Sequence, residues 1–198
     1  MALPTYDKSK RKKSFEQLPK GAYVVKIVGA REEKNRNNDG RHLTIAFDIA
    51  EGDYKGYWDN RFHNLKANND DAKWPNDAIY YLTIPKENSP QYVHDGWNTF
   101  FADLEDSNNG FVFDGDTKKL KGKLIGGKFH IEQTEYNGKI YDHTKFRWTC
   151  VAEDVRQGKA GNMPNDKLIE SASAGTSSAS GSDDFMTIPD GIEEELPF

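Results

Sequence analysis

Lys123-Leu-Ile-Gly-Gly-Lys-Phe-His-Ile-Glu-Gln-Thr-Glu-Tyr-Asn-Gly-Lys-Ile-Tyr-Asp-His-Thr-Lys-Phe-Arg-Trp-Thr-Cys150 decides the fold. Asn137-Gly138 at its centre is the strongest hairpin signal in the chain, because a two-residue type I′ turn needs positive φ at both central positions. A strand is expected from Lys123 to Glu135. A return strand is expected through Ile140 and Tyr141 to Cys150, and on toward Asp154. Phe129 and Ile131 alternate with Lys128 and His130, and Phe146, Trp148 and Cys150 alternate with Lys145 and Arg147. A period of two puts the first member of each set in the core and the second in solvent.

Upstream, Gly21–Ala30 is rich in β-branched and aromatic residues and reads as a strand, with room to run on to Lys34. Asn35 to Gly40 is a turn signal. Leu43, Ile45, Phe47 and Ile49 then alternate with Thr44, Ala46 and Asp48, which predicts a second strand with one buried and one exposed face. After a turn at Gly52 to Gly56, Tyr57–Asn64 reads as a third strand. Lys66 to Asp77 reads as a loop, and the apolar run Ala78 to Ile84 has no assignment from its pattern alone. Val93, Trp97, Phe100, Phe101 and Leu104 predict a helix over Tyr92–Asp106, stopped by Ser107-Asn108-Asn109-Gly110. Three strands, a helix and a long hairpin make a mainly β fold. That is the order of an OB-fold, a five-stranded Greek-key barrel with a helix before strand four. A β-sandwich with an inserted helix shares most of these elements.

The 198 residues suit one folded domain with appendages, and a mean hydropathy of −0.87 is too polar for a chain that is globular throughout. No long apolar run predicts a membrane span. The basic residues near the start, Lys8, Lys10, Arg11, Lys12 and Lys13, are not followed by the apolar stretch of a secretory signal. A single cysteine, Cys150, gives no disulfide framework, and a cytoplasmic setting is expected. Residues 157–198 hold eight acids and two bases, so that segment carries −6 of the net charge of −5 and the rest of the chain carries +1. The expected organisation is a mobile basic arm over 1–20, a nucleic-acid-binding barrel over 21–156, a Ser/Gly/Ala-rich flexible spacer over 157–182 and an acidic tip over 183–198.

Sequence-tolerant binding of a single strand needs cations that follow phosphates and aromatic faces on which bases stack. Both occur interleaved. Lys34, Arg36 and Arg41 flank the first loop, where OB-folds bind. In the run read as strand three, Tyr57 and Arg61 share one parity and Trp58 and Phe62 the other. A charged Arg prefers the exposed face, so Tyr57 and Arg61 are the better ligands. Trp74 stands in a loop beside Lys73, and the long hairpin supplies Lys128, His130, Tyr136, Lys139, Tyr141, Lys145 and Arg147. The five histidines lack zinc-ligand spacing, and no phosphate-binding or nucleophile-elbow motif is present. A non-catalytic protein with no cofactor and no metal is expected. Asp114-Gly115-Asp116 reads as a turn.

The sequence closes on Glu193-Glu194-Glu195-Leu196-Pro197-Phe198. This string resembles the C-terminal tip of bacterial single-stranded DNA-binding proteins, and the body–spacer–tip layout resembles theirs too. The body is more like the divergent members carried by phages and mobile elements. The resemblance implies a protein that coats and protects single-stranded DNA during replication and recombination. It also implies that Glu193, Glu194, Glu195, Leu196, Pro197 and Phe198 dock replication, recombination or repair enzymes. The body's departure from the familiar domain leaves a homo-oligomer open, and no membrane partner is expected. Three other readings share parts of this pattern: an adaptor whose body ignores nucleic acid, a ligand-binding β-sandwich, and a nuclease built from scattered carboxylates.

Overall fold

The computed structural model describes residues 16–37 and 40–169. The expected tip, half of the spacer and the basic residues at 8–13 lie outside the described residues. Five strands form one antiparallel sheet in the order β3-β2-β1-β4-β5. They are β1 (Gly21–Lys34), β2 (Arg41–Ile49), β3 (Ile79–Thr83), β4 (Leu124–Tyr136) and β5 (Lys139–Cys150). Helix α1 (Tyr57–Lys66) precedes β3, α2 (Gln91–Asp106) precedes β4, and α3 (Ala152–Arg156) follows β5.

β1 is long because it serves two partners. Gly21–Lys26 pair with β4, while Val25–Lys34 pair with β2. A register shift between Ile27 and Gly29 lets the strand bend between these two duties. The core faces meet around Phe47, Trp58, Phe129 and Phe146, whose ring centroids lie 5.0–5.8 Å apart. Tyr80 of β3 reaches Phe146 of β5 at 4.8 Å, so the two edge strands approach each other through their side chains. Gly127 permits this packing, since a Cβ there would stand 2.4 Å from the Phe146 ring.

Tyr57–Asn64 is helical, not a strand. Residues 57, 58, 61 and 62 fit one helix face as well as they fit a strand, so the short run is ambiguous in itself. A residue far off in the sequence decides it. The buried Asp48 carboxylate accepts from the Ile49 N–H at 2.9 Å and the Trp58 N–H at 3.0 Å, satisfying an orphan donor of the first helical turn. Gly56, with φ of 73°, turns the chain into that helix. The third strand is instead Ile79–Thr83, inside the apolar run that had no assignment. The outer face of β2 is also less open than alternation implies, because Thr44 and Asp48 are both buried.

The two flanks are shorter than expected. Leu18 is buried, accepts from the Thr144 hydroxyl, and donates its N–H to the Tyr57 hydroxyl at 3.2 Å. The folded body therefore begins by Glu16, not Gly21. At the other end, residues 162–169 run back along β4. Lys167 forms a parallel bridge with Glu132, with backbone bonds of 2.9 Å from the Gln133 N–H and 2.8 Å to the Ile131 carbonyl. Residues 157–169 thus belong to the body, not to a spacer. Lys20 and Asp166 join the two flanks at 2.6 Å, and Asp166, held below the usual carboxylate range by Lys20, also accepts the Ile131 N–H at 2.9 Å.

Candidate nucleic-acid interface

The register across β1, β2 and β3 assembles one outer face. Arg31 pairs with Thr44 and Thr44 with Tyr81, while Glu33 pairs with His42 and His42 with Thr83. Tyr81 is 58% exposed, and its ring meets the edge of His42 at 5.4 Å. Beneath them runs a polar network. The Thr44 hydroxyl donates to the Glu33 carboxylate, Arg31 pairs with Glu33 at 2.8 Å, and His42 Nδ1 lies 2.8 Å from Asn35 Oδ1. The Thr44 bond, with help from Arg31, holds the Glu33 carboxyl below its usual range. This network fixes the His42 ring beside Tyr81, so the two rings form a rigid step on an otherwise polar surface.

Cations lie at the adjoining end of the sheet, where the register puts Lys34 and Arg41 on the face opposite the step. Lys34 and Arg36 are exposed at the β1–β2 turn, and Arg41 pairs with Glu32 at 2.6 Å. The loop after β3 is tied to the same end by the bond from the Ile84 N–H to the Arg41 carbonyl, 2.9 Å. It brings Lys86 against Gly40, where the lysine Cε lies 4.0 Å from the position a Cβ would take. Two rings with Arg31 in the same row, and four more cations at the end of these strands and loops, have the composition of a single-strand site.

The remaining expected ligands are dispersed. Tyr136, Lys139 and Tyr141 are exposed at the tip of the β4–β5 hairpin, and Lys145 lies 3.5 Å from Glu132. Arg147 is half-buried beside Tyr80. Lys128 reaches the Asn162 carbonyl at 3.2 Å. His130 was expected outward and is buried at 2%, because residues 162–166 cover it and its Nδ1 lies 2.7 Å from the Asn165 carbonyl. Trp74 does not offer a bare face: it is half-buried with its ring 5.3 Å from Phe62. Tyr57 spends its hydroxyl on the Glu16 carbonyl and the Leu18 N–H, and Arg61 pairs with Asp77 at 3.1 Å. These two line a separate cleft beside β5.

Trp148 moves the other way. It was expected in the core and is 45% exposed. The register shifts between Lys128 and Phe129, so Lys128 faces Trp148 while Phe129 faces Phe146. Arg147 is the extra residue, and beyond it the inside and outside of β5 exchange. Sequence reasoning also missed Tyr81, His42, Arg31 and Lys86. The available signal was the alternation of Tyr80 and Leu82 with Tyr81 and Thr83 in the run left unassigned.

A family model described as "Protein of unknown function (DUF669)" matches residues 4–85. The chain is similar to that family over less than half its length. The matched stretch contains β1, β2, α1 and β3, hence the Tyr81–His42 step and the cations of the β1–β2 turn, and it stops before α2. No curated protein matches the chain. No described helix is long and apolar enough to cross a membrane. Among the described residues, no group of three or more His, Cys, Asp or Glu could hold a metal ion.

Proposed function

We propose that this chain is a single-stranded DNA-binding protein built on an OB-type barrel, acting without catalysis or cofactor. The strand pairings support the fold. β1 pairs with both β2 and β4, β3 adds to β2, β5 adds to β4, and a helix stands between β3 and β4. Such a barrel binds oligonucleotides on its strand 2–3 face and on the loops that flank it. The observation that carries the reading is the exposed Tyr81 with its His42 partner on that face, with Arg31 in the same row and Lys34, Arg36, Arg41 and Lys86 at the adjoining end of the sheet. Bases stack on the rings and phosphates follow the cations. The acidic stretch at 193–198, by its resemblance, adds recruitment of replication, recombination or repair enzymes.

The test is binding of a fluorescent oligo-dT at low and high salt, with duplex of equal length as control. Salt-sensitive binding to the single strand and not to the duplex is expected. Absence of binding at low salt, also after removal of residues 183–198, rejects the reading and leaves the adaptor in its place.

A further inference from the structure

The outer face of β2 and β3 does not use the cleft where Tyr57 and Arg61 lie. Its volume is about 250 Å³. That is room for about eight waters at roughly 30 Å³ each, and it falls below the ~300 Å³ at which pockets for drug-sized ligands begin. α1 supplies Tyr57, Trp58 and Arg61; Asp77 comes from the turn before β3, His143 from β5 and Gln17 from the N-terminal flank. Tyr57 is fixed through its hydroxyl bonds, and Gln17 is clamped to β5 by its amide bond to the Asp142 carbonyl, 3.1 Å. These walls are therefore built before any ligand arrives.

The hydrogen-bonding inventory is unusual. The indole N–H of Trp58 is buried and has no acceptor among the described residues, although the residue is only 1% exposed and lines the cleft. A buried donor without a partner costs about 1–3 kcal/mol. Asp77 uses one carboxylate oxygen on Arg61, while the other lies 3.9 Å from His143 Nδ1, too far for a hydrogen bond. So Asp77 offers an acceptor beside the donors of Arg61. Asp77 neutralises Arg61, which makes the site poor for a phosphate. An uncharged planar group with adjacent donor and acceptor edges fits the chemistry, and aromatic walls suit its faces.

We infer that the cleft between α1 and β5 takes one unstacked nucleobase, bound edge-on by Arg61 and Asp77 against Tyr57. The choice of ligand rests on the single-strand reading above. Asp77 precedes Tyr81 by four residues, so their Cα atoms are at most about 14 Å apart. A few nucleotides span that gap, and one strand reaches both the cleft and the Tyr81 step. The cleft adds base preference to a surface that otherwise reads only stacking and charge.

The test titrates the full chain with the four 2′-deoxynucleosides, which carry no phosphate, by isothermal calorimetry. Saturable binding of at least one is expected, weakened at least tenfold by Asp77→Asn. His143→Ala, whose side chain is partly exposed, serves should Asp77→Asn lose its native circular dichroism; it is expected to weaken the same nucleoside severalfold. No saturable binding of any nucleoside overturns the inference, as does binding that the folded variant leaves unchanged. An oligo-dT titration separates the two ideas. Oligonucleotide binding without nucleoside binding removes the cleft and leaves the strand reading; nucleoside binding without oligonucleotide binding does the reverse.

Discussion

Tyr81 and Asp48 are the two residues on which most depends, one for the proposed binding and one for folding. Tyr81→Ala removes a largely exposed ring that meets the edge of His42. It should weaken single-strand binding by about 1–3 kcal/mol, the usual worth of one base–aromatic stack, with unchanged thermal stability. Tyr81→Phe should keep most of the affinity, and fluorescence anisotropy on the three proteins decides. Asp48→Ala deletes the acceptor that caps α1 and should cost about 0.5–2 kcal/mol in urea unfolding. The same residue makes a pH prediction. Burial raises the Asp48 carboxyl above its usual range, against the lowering effect of the Trp58 and Ile49 N–H bonds. The folded state then holds this proton more tightly than the unfolded state. Its contribution is complete below the unfolded value and is lost as pH rises through the raised folded value. Asp48→Asn keeps an acceptor and has no charge to bury. Relative to the parent, it should therefore gain stability between the acid range and neutrality. Urea midpoints at pH 4 and pH 7 that differ equally for both proteins would contradict this.

At the scale of elements, the hairpin was legible and its surroundings were not. Asn137-Gly138 forms the turn, with φ of 52° at Asn137, and β4 and β5 begin and end within a residue or so of the alternating pattern. β1, β2 and α2 were legible for the same reason: each is long enough for its period to show. The errors fall where a distant contact overrules a local pattern. Tyr57–Lys66 is helical because Asp48 caps it from β2. Trp148 turns outward because a bulge in β5 reverses the alternation. His130 is buried because residues 162–166 lie over it, in a polar stretch whose composition resembles a linker. Of the site, the cations of the β1–β2 turn were visible, while Tyr81 was hidden in a five-residue strand whose alternation is too brief to be told from a turn of helix by pattern alone. The covering segment gives a further expectation. Truncation after residue 161 removes the bridge to Lys167, the acceptor for Ile131 and the Lys20–Asp166 pair. It should lower the melting temperature and expose the β4 edge, whereas truncation after residue 169 should leave the melting curve unaltered. Scanning calorimetry of both truncations measures this.

For the whole molecule, charge distribution matters more than net charge. Residues 1–156 sum to +1, and much of the basic surface is already matched by carboxylates, as at Arg31–Glu33, Arg41–Glu32, Arg61–Asp77 and Lys145–Glu132. The electrostatic part of single-strand binding should accordingly be modest. If Lys34, Arg36, Lys86 and the Glu32-paired Arg41 are engaged, about three to four phosphates are neutralised, giving a log–log salt slope near −2 to −3. The affinity should then fall about 20- to 50-fold between 50 and 200 mM salt. The acidic stretch acts on the same balance. Residues 183–198 contain six acids and no base, so they compete with phosphate for those cations whenever they come near. Removing them should tighten binding at 50 mM salt and make little difference at 500 mM, where the screening length is a few ångströms. Replacing the six acids by their amides should reproduce the deletion if charge alone is responsible. Equal affinities for the full chain, the deletion and the amide variant at low salt would show that the acidic stretch leaves the β2–β3 face alone, and its role would then lie with protein partners only.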